Sequence, residues 1–410
     1  MKPLRTKIEF FPENDKLTWV LLVALITSFF IFERQSWGKF VYLLIAVLIV
    51  GVDIFKNRFR LRIRLDEYHL YTLAFALYVL MSSLWAADPK YTFARLSTML
   101  RIFACMYMVY IHYKQTNDKE AIVLALMWSG YILSLYSISF YGLSKIRSIV
   151  ALGSRLGNEF ANVNAIGTMA ALSILITITK IIDKKYSVTI IFALPAALMV
   201  IATGSKKAIL QIAIGLVITV ILQTSYEGGK IQNKVAKTII GLSILFFLLI
   251  VVSELDVMKS SMRRMNIFLD MFSSSGTTDY STLHRMEFIR IGLEQFVKTP
   301  IFGIGIGNSP VIIGANTYLH SNYIELLACG GIVGTLIFYA PYLYLLKRLL
   351  SVKEKYYSLR VAISMLISQI ILDIAQVTYF SKETYIFLML YCMCLNDSNL
   401  KRSVSNYQAK

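Results

Sequence analysis

Charged residues are scarce in this sequence. Asp, Glu, Lys and Arg make up 16% of its 410 residues, whereas hydrophobic residues make up 57%. The mean hydropathy of +0.61 lies above the range of soluble domains. Many apolar runs approach the ~20 residues that a helix needs to cross a bilayer. So little charge excludes a soluble globular protein and predicts an all-α, polytopic membrane protein.

Cysteine and histidine are also rare, with four residues of each. The cysteines all lie in apolar segments, where we expect small buried hydrophobic residues. They are Cys105, Cys329, Cys392 and Cys394. No Cys–His spacing suits a metal, and Cys392 and Cys394 are too close for an ordinary disulfide framework. Because the predicted external segments also lack an acidic cluster with metal spacing, we expect no metal and no other cofactor.

Hydropathy predicts about twelve membrane spans within a single membrane-embedded domain, 1–410. The N-terminal residues mix Lys and Arg with Glu and Asp, unlike a cleaved signal peptide, so the first span is expected to be retained. No internal repeat of the kind found in many secondary transporters is visible. The predicted spans lie near 17–32, 39–55, 69–86, 93–112, 120–141, 164–182, 187–203, 207–224, 235–255, 321–346, 358–377 and 383–396.

The distribution of Lys and Arg predicts that both termini are cytoplasmic. With that orientation the richest basic loops, at 56–64, 180–185 and 347–360, all fall on the inner side. The large loop after the ninth span, about 256–320, is then external. The net charge of +18 follows from this bias and from attraction to anionic lipid headgroups, so we expect no nucleic-acid partner.

The external loop is predicted to contain two amphipathic helices. Met258–Phe272 carries apolar residues at helical spacing and is suited to lie on the membrane surface. A Ser/Gly-rich break follows, and a second helix is predicted over Thr282–Val297. Pro300, just beyond this range, prevents the helix from continuing. The loop then reaches Gly303-x-Gly305-x-Gly307. This segment lacks the preceding strand and the Lys-Ser/Thr of a nucleotide loop, so a tight turn that approaches a ligand or another helix is favoured.

His320 is the histidine whose surroundings point to chemistry. It stands where the external loop re-enters an apolar helix, followed by Asn322 and Glu325, and glycines further along permit close helix packing. A structural role and a role as a base both remain open from its residues alone. His69 and His112 lie at predicted cytoplasmic helix ends and read as interfacial residues. A solvated or packing role is favoured for His284 in the loop.

Cations at the predicted outer boundary are a further signal. Arg155 precedes Asn162-Val163-Asn164, Lys206 follows Thr203-Gly204-Ser205, and Arg285 and Arg290 lie on the second loop helix. Each alone is explained by snorkelling to lipid headgroups. Together, beside an external histidine, they make a binding site for a pyrophosphate lipid an alternative to snorkelling.

The motifs now resemble those of a known family. His320-Ser321, nine residues and Gly331-x-x-Gly334 are similar to the His-[Asn/Ser/Gln]-x9-Gly-x-x-Gly pattern of the O-antigen ligase and polymerase superfamily, which includes capsular and exopolysaccharide polymerases. The segment from Arg155 to Asn164 resembles its "R…G…NPN" segment, and Thr203 to Lys206 its "TGSR" helix start. Arg285 through Gly305 resembles its external loop. The likeness covers about residues 150 to 345.

The resemblance implies metal-independent glycosyl transfer from a polyprenyl-pyrophosphate-linked oligosaccharide at the outer face of the bacterial cytoplasmic membrane. It implies His320 as the general base and Arg285, Lys206 and Arg155 as the pyrophosphate-binding cations. Supporting roles are implied for Asn164, Asn322, Glu325 and Arg290. The sequence departs from the family at three positions: Lys206 replaces Arg, Phe288 replaces a common Trp, and Cys329 replaces a frequent Glu.

Three functions are compatible with these residues. A polymerase that extends lipid-linked repeat units is favoured. A ligase that moves the finished glycan to a lipid or protein is the alternative, because the two enzymes share a donor site. A polysaccharide or lipid-linked sugar transporter is the alternative of another class and would have to use Asp53, Arg101, Asp373 and Gln376. Besides the substrate and membrane lipids, the expected partners are a flippase and chain-length regulator proteins.

Overall fold

The computed structural model describes residues 12, 15–56, 65–152, 154–182, 188–226, 280–352 and 356–408. Within these ranges all regular secondary structure is helical. The helices are α1 (Lys16–Ile31), α2 (Gly38–Lys56), α3 (Glu67–Ser82), α4 (Pro89–Thr116), α5 (Lys119–Tyr141), α6 (Leu143–Ala151), α7 (Val163–Ile182), α8 (Ala193–Thr203), α9 (Lys206–Tyr226), α10 (Tyr280–Lys298), α11 (Ser309–Ile313), α12 (Asn322–Leu350), α13 (Tyr357–Leu372) and α14 (Lys382–Gln408). A short 3₁₀ turn, Val188–Phe192, leads into α8.

Six of the described helices, α2, α4, α5, α7, α9 and α12, are long and apolar enough to cross a membrane. Three shorter apolar helices accompany them, at Lys16–Ile31, Ile190–Thr203 and Tyr357–Leu372. The prediction of an all-α, polytopic membrane protein is confirmed. Each predicted span coincides with a described helix except 235–255, which lies outside the described residues together with the predicted helix Met258–Phe272.

The second predicted loop helix is present as α10, which begins and ends close to the predicted Thr282–Val297. Two short helices were not predicted. The first, α6, is amphipathic and follows α5 after Gly142. The second, α11, begins after the Gly303–Gly307 segment. Both lie between longer apolar segments, where hydropathy gives little indication of secondary structure.

The chain divides into two compact units, each built from three stretches of sequence. The first comprises 1–61, 111–263 and 352–368. In its described part α5 packs against α1, α7 and α8, and α7 packs against α9. The packing of α5 on α7 includes a polar contact, because the Ser173 hydroxyl donates to the Met127 carbonyl at 2.8 Å.

The second unit comprises 62–110, 264–351 and 369–410. Its described core is α12, which packs against α3, α10 and α14. The loop segment between α10 and α12 also belongs to this unit, so His320 and the glycine-rich segment share one body. The expectation of a single membrane-embedded domain remains a prediction.

Two histidines that the sequence places at interfacial helix ends are instead buried and paired with carboxylates. In the first unit His112 is 2% exposed, and its Nδ1 lies 3.0 Å from Asp53 Oδ1. In the second unit His69 is 6% exposed, and its Nδ1 lies 3.0 Å from Asp66 Oδ1. The interfacial interpretation was wrong because a carboxylate satisfies each ring, which removes the need for water.

Candidate active site

His320 occupies the residue before the N-cap of α12. Ser321 caps the helix by accepting the Ile324 N–H, and His320 itself has a φ of 59°, in the left-handed region that few non-glycine residues adopt. Such a conformation costs on the order of 1 kcal/mol and persists only where the surroundings impose it. The side chain is half-buried. The imidazole is therefore directed by a constrained backbone at the start of a helix.

Two aromatic rings hold the imidazole of His320. Phe288 of α10 stacks on it with ring centroids 5.8 Å apart and planes only 11° apart. Tyr318 meets it at an angle of 63° with centroids 4.7 Å apart. Both rings are half-buried. Phe288, which stands where the family commonly has Trp, thus contacts the predicted base directly.

Glu325 fixes the backbone that leads into His320. Its carboxylate is fully buried, and Oε2 accepts the Leu319 N–H at 2.9 Å while Oε1 accepts the Ser309 hydroxyl at 2.7 Å. Because Leu319 directly precedes His320 and Ser309 begins α11, one side chain joins α12 to two parts of the preceding loop. Glu325, for which the resemblance implies a supporting role, therefore contacts the backbone that directly precedes His320.

Asn322 is a structural anchor in this unit. Its Oδ1 accepts the Thr378 and Tyr379 N–H groups at 2.9 and 3.1 Å. Its Nδ2 donates to Tyr339 Oη at 2.8 Å and to Asp373 Oδ2 at 3.3 Å. All of these groups are buried or nearly so. The amide therefore fastens the start of α12 to the segment before α14.

Asp373 completes this network. Its carboxylate accepts the hydroxyl groups of Tyr339 and Thr378, each at 2.8 Å, and it is 1% exposed. Burial of a carboxylate is tolerated where hydrogen bonds replace its water. Asp373 is one of the residues that a transporter would need, and these contacts assign it to packing.

Helix α12 is broken at Gly331, whose φ of 61° and ψ of −167° are not helical. The break frees backbone groups that the preceding loop satisfies. Ile332 and Val333 donate their N–H groups to the Pro300 and Ile301 carbonyls at 2.8 and 3.1 Å, and the Ala328 carbonyl accepts the Ile304 N–H at 3.2 Å. Irregular backbone at membrane depth requires such internal partners. A Cβ at Gly331 would overlap the Ile301 carbonyl.

The Gly303-x-Gly305-x-Gly307 segment is the loop that meets this break. All three glycines have positive φ, and a Cβ at Gly303 would overlap the backbone of Cys329 in α12. The Phe302 carbonyl accepts hydrogen bonds from Trp85 Nε1 and Tyr78 Oη, both at 3.2 Å. The predicted tight turn against another helix is confirmed.

Two predicted cations lie on α10, which packs against α12. Arg285 is in the first half of the helix, and its side chain lies outside the described atoms. Arg290 is exposed and donates to both oxygens of Glu287, with a second ion pair to Glu294 at 3.4 Å. The hydrogen bond to Glu287 raises the pKa of Arg290 further above its usual value. A supporting role for Arg290 would require it to exchange these partners.

The remaining predicted residues belong to the first unit. Arg155 is exposed, and the Leu156 N–H beside it donates to the Ala202 carbonyl of α8 at 3.1 Å. Asn164 is half-buried at the start of α7, where its N–H donates to Asn162 Oδ1 at 2.9 Å. Lys206 is exposed at the start of α9, directly after the turn that ends α8. Since α7 packs against α8 and α9, these three residues gather at one end of the unit.

Glu159 adds a carboxylate to the segment that carries Arg155. It accepts hydrogen bonds from the Tyr141 hydroxyl at 2.8 Å and from Lys145 Nζ at 3.1 Å. Partial burial would raise its pKa, but the bonds from Tyr141 and Lys145 outweigh burial, so the pKa of Glu159 lies below its ordinary value. Glu159 is therefore ionised at neutral pH and offsets some of the local positive charge.

The sequence did not single out Arg95, Tyr318 or Phe380. Arg95 lies on α4, and its guanidinium carbon is 3.8 Å from the centroid of the Phe380 ring. The Phe380 and Tyr318 centroids are 6.5 Å apart, and Tyr318 contacts His320. The available signal was that Arg95 is a basic residue within an apolar span. The aromatic contacts could not be predicted because they join residues that are distant in sequence. Among the described residues no group of three or more His, Cys, Asp or Glu side chains is arranged to hold a metal.

Comparison with known families matches residues 190–339 to the family described as O-Antigen ligase. The match is shorter than half of the chain, begins just before α8 and ends within α12. It includes Lys206, Arg285, His320 and Glu325, whereas Arg155 precedes it. No curated protein matches the chain. The predicted resemblance to the O-antigen ligase and polymerase superfamily is confirmed over residues 190–339, which are similar to the O-antigen ligase family.

Proposed function

We propose that this membrane protein is a polysaccharide polymerase that extends lipid-linked oligosaccharide repeat units. The family match supports an enzyme of the ligase and polymerase type. The observation that carries the chemistry is the constrained His320, which is held by the Glu325–Leu319 bond, by the Ser321 cap and by two aromatic rings. A base held in one geometry is what proton transfer from a sugar hydroxyl requires.

The reaction is a single displacement. A neutral nitrogen of His320 takes the proton of the acceptor hydroxyl as its oxygen forms a bond to the anomeric carbon of the donor glycan. The bond between that carbon and the pyrophosphate oxygen breaks, and its electron pair leaves with the polyprenyl pyrophosphate. Direct displacement inverts the configuration at the anomeric carbon. The protonated imidazole then returns its proton to water or to the leaving group.

The leaving pyrophosphate gains negative charge during this step, so cations must stabilise it. We assign this role to Arg285, Lys206 and Arg155. Fixed cations stabilise developing charge strongly where water is sparse. Lys206 and Arg155 are exposed, which leaves both able to meet a lipid phosphate. Asn164 lies at the same end of the first unit and is assigned a supporting role.

A ligase that transfers the finished glycan is the second candidate, because the matched family is described as O-Antigen ligase. The two functions share the donor and differ in the acceptor. We assign the protein to the bacterial cytoplasmic membrane with both termini inside. A polyprenyl-linked glycan is its substrate, and a flippase and a chain-length regulator are its protein partners.

Glycan analysis of a deletion strain separates the two functions. Accumulation of single lipid-linked repeat units supports a polymerase, and long lipid-linked chains that are not transferred support a ligase. The deletion strain is complemented with His320→Ala, with His284→Ala as the matched control and with membrane abundance measured. We expect loss of long polymer only for His320→Ala. Normal polymer from a stably inserted His320→Ala variant would overturn the mechanism.

A further inference from the structure

Arg95 is a cation of the second unit to which the proposed mechanism gives no role. It lies near the start of α4 and is half-buried. The glycine-rich segment packs against its stem, since a Cβ at Gly307 would press on Arg95 Cγ. Nearby, Asn308 ties that segment to α4 by accepting the Asp88 N–H at 2.7 Å and donating to Thr92 at 2.9 Å. The base of the side chain is therefore held between two fixed backbone segments.

The guanidinium of Arg95 lies over the face of Phe380, with its carbon 3.8 Å from the ring centroid. Contact with an aromatic face leaves the N–H groups at the edge of the guanidinium able to donate. Arg95 forms no ion pair with a carboxylate in the part of the chain that the structure describes. The Glu325 carboxylate is close enough to Arg95 for their charges to attract. Each of its oxygens, however, already accepts a hydrogen bond, from Ser309 or Leu319. The guanidinium is fixed in place while its planar donors remain available.

A continuous set of aromatic contacts leads from this cation to His320. Phe380 contacts Tyr318, with centroids 6.5 Å apart and planes at 66°. Tyr318 contacts the imidazole at 4.7 Å. All three rings are half-buried and so are partly accessible. A half-buried surface of aromatic rings with one planar cation is typical of a ligand site that fixes its ligand through a few polar contacts.

The geometry points to a binding subsite in which Arg95 holds an oxyanion of the substrate while Tyr318 and Phe380 cover the adjoining sugar or lipid. The inference rests on the proposed function for its substrate class. Two sources supply a suitable anion: the pyrophosphate of the lipid-linked donor and the carboxylate of an acidic sugar. A planar guanidinium binds either with two parallel hydrogen bonds.

Equilibrium binding to the full-length protein in neutral-lipid nanodiscs tests the subsite. The probes are farnesyl pyrophosphate and a galacturonic acid oligosaccharide, with farnesol as the uncharged comparison. For one of the two anionic probes we expect Arg95→Gln to weaken binding by about tenfold or more. The affinity of Arg95→Lys should lie between those of Arg95→Gln and the wild type, because a lysine keeps the charge and loses the planar donors. Arg101→Gln is the matched control, since Arg101 lies on the same helix and donates to its own neighbour Thr98 at 3.2 Å.

The source of the anion follows from which probe responds. Weaker binding of farnesyl pyrophosphate alone assigns the subsite to the donor phosphate, and weaker binding of the oligosaccharide alone assigns it to an acidic sugar. Failure of the wild type to bind either probe, or unchanged binding of both probes by a folded Arg95→Gln variant, would overturn the inference. Binding is measured without turnover, so loss of the proposed polymerase activity is distinguishable from loss of the subsite.

Discussion

The carboxylate of Glu325 holds the backbone N–H of Leu319 at 2.9 Å, six residues earlier in the chain. Leu319 is completely buried, and His320 follows it in a left-handed conformation. The position of the proposed base therefore depends on Glu325 through the backbone of Leu319. Glu325 is a positioning residue in this arrangement.

Glu325→Gln should lower both stability and turnover. A Gln side chain has one acceptor oxygen. If that oxygen accepts the Leu319 N–H, the Ser309 hydroxyl must turn and accept from the amide nitrogen. If it accepts the hydroxyl, the buried Leu319 N–H loses its partner, which costs about 1–3 kcal/mol. A displaced base lowers kcat on the order of 10–100-fold, with the KM for the donor little changed. Thermal unfolding and polymer synthesis measure these effects. Ser309→Ala keeps the Leu319 bond and should have the smaller effect on kcat; equal effects would contradict the positioning role.

Gly331→Ala should greatly reduce the amount of folded protein. The substitution combines a left-handed φ with overlap of the Ile301 carbonyl. Gly314→Ala is the matched control because Gly314 has a φ of 72° but no atom within 4 Å of an added Cβ. The control should cost only the conformational strain, about 1–2 kcal/mol. The melting temperature and the membrane abundance of both variants provide the measurement, and similar losses in the two would exclude a packing role for Gly331.

Lys206→Arg should preserve activity, because it restores the residue common in the family and supplies planar donors for phosphate. Lys206→Glu should abolish activity by placing a negative charge near the proposed pyrophosphate site. Lys206 is exposed, so neither change should disturb folding by more than about 0.5 kcal/mol. Polymer length in complemented cells is the readout. Full activity of Lys206→Glu would remove Lys206 from the site.

The Glu159 interaction should make a small contribution to stability that depends on pH. Its folded-state pKa is lowered, so the contribution is present above the unfolded pKa of about 4.3. It is lost as the pH falls through the lower folded value. The side chain is 42% exposed, so the effect should be below about 1 kcal/mol. Glu159→Gln should unfold at a lower temperature than the wild type at pH 7, and the gap should narrow near pH 3. A constant gap would contradict the ionic origin.

Cysteine labelling tests the proposed orientation across the membrane. Ala315 and Ser351 are exposed near opposite ends of the 29-residue α12. In intact cells a membrane-impermeant thiol reagent should label Ala315→Cys, and it should label Ser351→Cys only after permeabilisation. The four native cysteines are buried, so the background should be low. The reverse pattern would place His320 on the cytoplasmic side and remove the external lipid-linked donor from the mechanism.

Hydropathy was sufficient to predict the helices that could cross the membrane because each is encoded by a contiguous apolar run. The same argument could not reveal the break at Gly331, since a glycine within an apolar run is equally compatible with close packing of a continuous helix. Pro300 and Ile301 satisfy the freed N–H groups from about thirty residues earlier, and spacing along the chain contains no signal for such pairings.

The sequence selects residues for the candidate site but does not show which partners they contact. His320 was selected from its local motif, and its neighbours along the chain suggested Asn322 as a supporting residue. The side-chain amide of Asn322 instead forms hydrogen bonds with Thr378, Tyr379 and Tyr339. Arg95 was missed because its aromatic contacts come from residues far along the chain. Residue type indicates what a side chain is able to do, and only the fold determines which partners it meets.

The junction at Gly331 limits where related enzymes could exchange parts. Residues 300–304 supply the backbone partners of the broken helix, so a chimaera in which this loop took another conformation would leave the freed backbone groups of α12 without partners. Tyr78 and Trp85, which lie ahead of α10, also donate to the Phe302 carbonyl and so belong to the junction. Residues 300–304, the side chains of Tyr78 and Trp85, and α12 therefore form one structural block in the described part of the second unit.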